Sequence, residues 1–179
     1  SNTADEEVKQ LKYAAYMGLD AYRVKNQGWF YPPFDLRGKS VLDIGGGPVS
    51  LLLKCTNRGR AVVLDPIRWP DWVHARYQAA GVEYIQQGAE HVELDTIFDE
   101  VWIYNCLQHT EDPIAVLETA CKHGRIVRIF EWLNTETNDM HPHSLTKELL
   151  DGQLGILGNT HTIEWERYVP EAYSAVLRV

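Results

Sequence analysis

The segment that most constrains this chain is Val41-Leu42-Asp43-Ile44-Gly45-Gly46-Gly47-Pro48-Val49-Ser50, an apolar run that stops at three consecutive glycines and a proline. Residues 40–44 predict a buried strand, because large aliphatic and β-branched side chains favour the pleated backbone. The glycines then let the chain turn tightly and let a ligand lie against the main chain without meeting a Cβ. Leu51-Leu52-Leu53 is predicted to begin a helix. A second apolar run, Ala61-Val62-Val63-Leu64, ends at Asp65, 20 residues after Gly45. An acid at that place can accept both hydrogen bonds of a ribose diol. Strand, glycine turn, helix, strand and acid follow one another in the order of a nucleotide-binding α/β unit.

The alternation continues along the chain. A helix starting near Pro70-Asp71 and stopping at Gly81 leads to a strand over residues 82–85, and residues 100–104 form the next. Asp112 can cap, and Pro113 can open, a helix with Ile114, Leu117 and Cys121 on one face, before a fifth strand over residues 125–130. Ser144 is expected to cap a helix that ends at Gly152. Two further strands, residues 161–169 and 173–179, are separated only by Pro170-Glu171-Ala172. That gap is too short for a parallel crossover, so the pair is expected to be antiparallel. Ahead of the first strand, Thr3 and Glu6 form a capping box for a helix carrying Val8, Leu11, Ala15, Leu19 and Tyr22. Trp29-Phe30-Tyr31-Pro32-Pro33-Phe34 follows and is expected to lack regular structure.

With 179 residues, 45% hydrophobic and 23% charged, the chain fits a single α/β domain. Residues 1–39 are read as an N-terminal helix with a cap or lid segment, and residues 40–179 as the ligand-binding domain. The net charge of -8 disfavours nonspecific binding to nucleic acid or to anionic lipid. No apolar stretch approaches the ~20 residues of a membrane span, and the N-terminus lacks the pattern of a secretory signal. Cys55, Cys106 and Cys121 form no C-x-x-C pair and are expected to be free thiols in a reducing cytoplasm.

Two cofactor classes share the glycine-turn geometry. A nicotinamide site usually has G-x-G-x-x-G and an apolar residue in place of Asp43. Here Ser50 replaces the third glycine and Pro48 removes one N–H donor, while a buried Asp43 would repel a pyrophosphate and favour a ligand bearing an amino group. Nicotinamide-dependent oxidation is therefore the weaker reading.

From residue 40 to residue 179 the sequence resembles the class I S-adenosylmethionine-dependent methyltransferases. Val-Leu-Asp-Ile-Gly-Gly-Gly-Pro is similar to that family's first motif, and Asp65 stands where its ribose-binding acid stands. Gln87-Gly88-Ala89-Glu90 resembles the segment that borders the adenine. The run from Phe98 to His109 resembles the fourth motif, and the last hairpin resembles the family's own. The resemblance implies a three-layer, Rossmann-like seven-stranded sheet of order 3-2-1-4-5-7-6. It implies S-adenosylmethionine as cofactor and S-adenosylhomocysteine as product. The implied contacts are Asp43, Gly45, Gly46, Gly47, Asp65, Pro66, Gln87, Gly88, Ala89, Glu90, Asn105, Cys106 and Leu107. Three positions depart from the family pattern: Val49 replaces a frequent glycine, Gly88 an adenine-binding acid, and Gln108 an acid that holds a cation in some quinone-ring methyltransferases.

Methyl transfer from a sulfonium chiefly requires alignment, and a base is needed only where the acceptor must lose a proton. His109, just beyond the fourth strand, is the candidate general base for a hydroxyl or amine acceptor. Tyr13, Tyr16, Tyr22 and Trp29, with His141 and His143, are candidate acceptor contacts. His141-Pro142-His143 lacks the further ligands of a metal site, so no metal is expected. The acidic surface and the lack of a recognition insert favour a small-molecule acceptor and a monomer or homodimer. A nucleic-acid or protein methyltransferase, or a non-catalytic binding module of the same fold, are the alternatives.

Overall fold

The computed structural model describes residues 34–157, 159–163 and 172–179. Two short strands, β1 (Phe34–Asp35) and β3 (Cys55–Thr56), pair in parallel outside the main sheet. Seven more make that sheet: β2 (Val41–Ile44), β4 (Ala61–Leu64), β5 (Glu83–Ile85), β6 (Phe98–Tyr104), β7 (Gly124–Trp132), β8 (Asn159–Ile163) and β9 (Ala172–Arg178). Their spatial order is β5-β4-β2-β6-β7-β9-β8. Numbered by appearance within the sheet, this is 3-2-1-4-5-7-6. All neighbours are parallel except β7 with β9 and β8 with β9. The helices are α1 (Asp71–Ala79), α2 (Pro113–His123) and α3 (Lys147–Leu157).

Alternation along the strands divides the core in two, since successive side chains leave opposite faces of a sheet. Leu42, Ile44, Val62, Leu64, Val101 and Ile103 face α2 and α3, where Val116, Leu117, Leu150 and Leu154 complete one cluster. Val41, Ala61, Val63 and Trp102 face the other way, onto Val73 and Tyr77 of α1. A sheet buried on both faces explains why β2 and β4 read as continuous apolar runs.

At the amino edge one charged group interrupts this core. Glu100 is buried and accepts hydrogen bonds from Arg128 Nε at 2.8 Å, Trp102 Nε1 at 2.9 Å and Lys39 Nζ at 3.4 Å. Burial alone would push its carboxyl up, but Arg128, Trp102 and Lys39 outweigh burial and hold it below the ordinary glutamate value.

Several elements differ from the sequence expectation. The helix expected at Leu51-Leu52-Leu53 is one 3-10 turn, Leu51–Lys54, which runs straight into β3. Sixteen residues separate β2 from β4, and the glycine turn, Pro48 and β3 leave no room for more. Arg58 secures the short turn by donating to Leu52 O and to Ala80 O, both at 2.5 Å. Phe34, expected to be irregular, enters β1. In α2 the buried side chains are Ala115, Val116, Leu117, Thr119, Ala120 and His123, whereas Ile114 is exposed. The last helix begins at Lys147 after a Thr146 side chain that accepts from Leu149 N at 3.1 Å, so Ser144 is not its cap. It continues through Gly152, because that exposed glycine costs only ~1 kcal/mol and Leu150 and Leu154, one turn apart, are both buried. β8 starts at Asn159, two residues earlier than expected, and residues 164–171 of the expected hairpin lie outside the described residues. The expected opening helix lies outside them as well.

Candidate functional site

The connections at the carboxyl ends of β2, β4, β5, β6 and β7 gather at one edge of the sheet. β2 and β6 are neighbours whose connections depart toward opposite halves of the sheet, which is where open α/β sheets form a ligand crevice. The glycine turn fills this point. Gly45 (φ 71°) and Gly47 (φ 64°) adopt left-handed backbone that only glycine takes up without strain. Gly45 also packs so tightly that an added Cβ would lie 2.5 Å from Cys106 Cβ. Gly45, Gly46 and Gly47 are partly open, whereas residues 41–44 before them and 48–52 after them are buried. The turn is thus the one place in this stretch where main chain can meet a ligand.

Side chains from three elements hold it. Asp43, buried beneath the turn, accepts from Ser50 Oγ at 2.5 Å. Burial pushes its carboxyl up to about 7, with the Ser50 hydrogen bond opposing and the nearby Asp65 charge adding to the rise. Tyr77 of α1 donates its hydroxyl to Gly47 O at 2.6 Å and accepts from Ser50 N at 2.9 Å. Arg76 donates to the Pro48 carbonyl. Asp65 reaches across from the end of β4, accepting from Gly47 N at 3.1 Å through Oδ2 and from Ile67 N at 2.9 Å through Oδ1. Its carboxyl is raised by burial against the pull of these two N–H groups and of Tyr84. A carboxylate has about four acceptor positions, of which these two N–H groups take two.

Pro66 and Gln87 flank Asp65 and are exposed, with Gln87 N donating to Asp65 O at 3.1 Å. Gly88 is partly open. Ala89 is a core residue, leaving only its main chain for a ligand. Glu90 is engaged elsewhere, accepting from Glu111 N at 3.1 Å.

After β6, Asn105 takes a left-handed conformation (φ 52°), and Leu107–His109 make one 3-10 turn. Glu131 at the end of β7 is fully buried, and its Oε1 accepts from Cys106 N and Leu107 N, both at 2.9 Å. Oε2 has no hydrogen-bond partner among the described residues. Burial pushes this carboxyl up to about 8 against the two N–H donors, so it carries a proton near neutrality. With Oε1 occupied by two donors, the proton belongs on Oε2.

Three hydrogen bonds tie this loop to the segment after β7. Thr135 Oγ1 donates to Gln108 Oε1 at 3.2 Å, His109 Nδ1 meets Met140 O at 2.7 Å, and His143 Nε2 meets Glu111 O at 2.9 Å. A carbonyl only accepts, so His109 carries its proton on Nδ1 and keeps a lone pair on Nε2. Desolvation lowers its pKa, the Met140 contact opposes this, and His141, whose ring centroid lies 4.4 Å away, adds to the lowering.

The structure therefore brings Asp43, Gly45–Gly47, Asp65 and Asn105–Leu107 around one edge, with the rings of His109 and His141 in tilted contact beside them. His143 lies on Glu111. Tyr13, Tyr16, Tyr22 and Trp29 lie outside the described residues. No group of three or more His, Cys, Asp or Glu among the described residues is arranged to hold a metal. Sequence reasoning missed Tyr77 and Glu131. A lone acid at the end of the largely apolar run Ile126-Val127-Arg128-Ile129-Phe130 was a usable signal for Glu131; Tyr77 gave none.

No protein-family profile matches the sequence, and comparison with curated protein sequences finds no significant match. Comparison with solved structures does. The plantazolicin methyltransferase, solved with a monoazolic desmethylPZN analog and SAH, superposes with a TM-score of 0.69 at 13% identity, over 98% of this chain and 88% of that one. The fold is that of the S-adenosylmethionine-dependent methyltransferases. A second methyltransferase, the 1,6-didemethyltoxoflavin-N1-methyltransferase of Burkholderia thailandensis with bound 1,6-didemethyltoxoflavin and S-adenosylhomocysteine, gives 0.66 at 15% identity, over 98% and 82%. An S-adenosylmethionine-dependent methyltransferase from Clostridium acetobutylicum gives 0.69 at 8% identity, over 99% of both chains. At 8 to 15% identity the likeness is one of fold.

Proposed function

We propose that this chain binds S-adenosylmethionine at the carboxyl edge of β2 and β4 and transfers its methyl group to an oxygen or nitrogen of a small molecule. One observation carries the reading: the partly open turn Gly45–Gly47 between two buried runs, with Asp65 hydrogen-bonded to its Gly47 N–H. Main chain at Gly45, Gly46 and Gly47 borders the amino-acid part, with the Asp43 carboxyl beneath. Asp65 takes the ribose hydroxyls, and Pro66, Gln87, Gly88, Ala89 and Glu90 border the base. Asn105, Cys106 and Leu107 close the other side.

The cofactor would supply a methyl group on a sulfonium, from which a neutral thioether is already a good leaving group. The protein's own task is then to hold the acceptor in line, a contribution of roughly 7 to 11 kcal/mol in well-oriented systems. His109 Nε2, its lone pair fixed by the Nδ1 contact, receives the proton that a hydroxyl or amine acceptor releases. His141, His143 and the aromatic residues Tyr13, Tyr16, Tyr22 and Trp29 of the N-terminal lid segment contact the acceptor. The acidic composition and the three free thiols support a small-molecule acceptor and a cytoplasmic setting.

Calorimetric titration with S-adenosylhomocysteine tests the cofactor. Micromolar binding is expected, weakened roughly 100-fold in Asp65→Ala, since two hydrogen bonds to a charged acceptor are removed. Tight NADH binding without S-adenosylhomocysteine binding would overturn the reading. For an acceptor that reacts, His109→Ala is expected to lose about 100-fold or more in turnover with unchanged S-adenosylhomocysteine affinity; full turnover would remove His109 from the mechanism.

A further inference from the structure

The two walls of the proposed cofactor site stand on different strands. The glycine turn follows β2 and the Asp65 loop follows β4, and they touch directly through the hydrogen bond from Gly47 N to Asp65 Oδ2. In many α/β proteins a helix following the glycine turn also fixes its main chain. Here only the 3-10 turn Leu51–Lys54 follows. Two tyrosines stand in that helix's stead.

Tyr77 is fully buried, and its hydroxyl closes the glycine turn from within, donating to Gly47 O and accepting from Ser50 N. Tyr84 of β5 serves the other wall. Its hydroxyl donates to the Ile67 carbonyl and lies beside the Asp65 carboxylate, which it helps to keep charged. The two rings stack on each other with centroids 5.7 Å apart and planes 29° apart. The edge of His74 braces Tyr84 at 4.7 Å. Burial raises both phenols above their ordinary value, so both remain hydrogen-bond donors throughout the physiological range. A phenol ring is stiff, and a stacked pair passes a displacement of one wall to the other without bending.

We propose that the stacked pair Tyr77–Tyr84 is the positioning device that sets the spacing between the glycine turn and the Asp65 loop, and thereby tunes cofactor affinity. Neither hydroxyl is placed in contact with the cofactor; both act through main chain and through Asp65. The role in affinity rests on the cofactor reading above, whereas the mechanical coupling of the two walls does not, and the experiment separates them.

The variants are Tyr77→Phe, Tyr84→Phe, the double variant, and Val73→Ala as a control that weakens α1 packing while leaving every hydroxyl in place. Amide hydrogen exchange without ligand reads the coupling. In Tyr77→Phe, exchange is expected to quicken about 10-fold at Ser50 and also at Ile67 on the opposite wall, while Val73→Ala leaves the ratio of the two unchanged. Acceleration confined to Ser50, or reproduced by Val73→Ala, would overturn the proposal. Titration with S-adenosylhomocysteine reads the consequence. Each Phe variant is expected to bind about 5- to 10-fold more weakly, and the double variant little more weakly than the worse single one, since the pair acts as a unit. Losses that multiply independently, or none, would overturn it. If the unaltered protein binds no S-adenosylhomocysteine, the cofactor reading fails and exchange alone decides the pair.

Discussion

Two turns lie side by side at the centre of the sheet, and they are secured in different ways. The turn after β2 is held by many partners: the Tyr77 hydroxyl and the Ser50 side chain, which both give and take hydrogen bonds, the carboxyls of Asp43 and Asp65, and Arg76, which adds a donor for a carbonyl. The turn after β6 is held by one acid, Glu131, which only accepts through Oε1. Each turn ends in a single 3-10 turn, but only the second is followed within a few residues by a capped helix, with Asp112 Oδ1 accepting from Ala115 N at 3.1 Å. A backbone lacking a helix to absorb its N–H and C=O groups must find partners one by one, and a hydroxyl, able to serve both, suits that need.

The sharpest way to break the first turn is Gly45→Ala. Left-handed strain of about 1 to 2 kcal/mol adds to the overpacking against Cys106, so a loss of about 3 to 5 kcal/mol in stability is expected by denaturant unfolding. S-adenosylhomocysteine affinity should fall about 100-fold or more in whatever fraction remains folded. The second turn breaks at Glu131. Glu131→Ala strands two buried N–H groups and is expected to cost about 2 to 4 kcal/mol, which is roughly 10 °C in thermal midpoint. Glu131→Gln keeps an acceptor for both and should stay within about 1 kcal/mol of the parent. If alanine and glutamine behave alike, the acceptor role assigned to Glu131 is wrong.

A smaller effect separates the turns by pH. Asp43 and Glu131 have their carboxyls raised by burial to about 7 and about 8 in the folded chain, from 3.8 and 4.5. The folded state therefore holds protons that the unfolded state has already released. Their contribution to stability is complete below about pH 4 and is lost as pH climbs through 7 and 8. The thermal midpoint is expected to be lower at pH 8.5 than at pH 5.5. Glu131→Gln should remove the part of this slope nearest pH 8, leaving the part set by Asp43; an unchanged slope would place the titration elsewhere.

Continuous apolar runs and turn signals made the sheet legible in the sequence. Ala61–Leu64 is a strand at the expected bounds, Val41–Ile44 begins one residue after the expected start, and Asp112 with Pro113 opens α2 as read. These signals are local, and local backbone preference decides them. The missing helix after the glycine turn was not legible, since three leucines are compatible with a helix and only the tertiary need to reach β4 shortens it. Tyr77 was hidden for a related reason: α1 buries just Val73 and Tyr77, too few apolar positions for a helical face to stand out in the sequence. The glycines and Asp65 were visible because close backbone approach and an acid at a strand end leave few alternatives. The groups that steady them come from residues distant in sequence, which a linear pattern does not connect.

The contact between Gly45 and Cys106 has a use as a chronometer. The Cys106 sulfur lies 2.8 Å from where a Gly45 Cβ would be, and burial together with the nearby acids, Glu131 foremost, raises its thiol well above the ordinary value. An alkylating reagent needs both access and a thiolate, and here it has neither until the turn moves aside. Half-buried Cys121 offers an internal reference for the reagent itself. The lag between the two modifications would time the breathing of the turn, using a label already written into the chain.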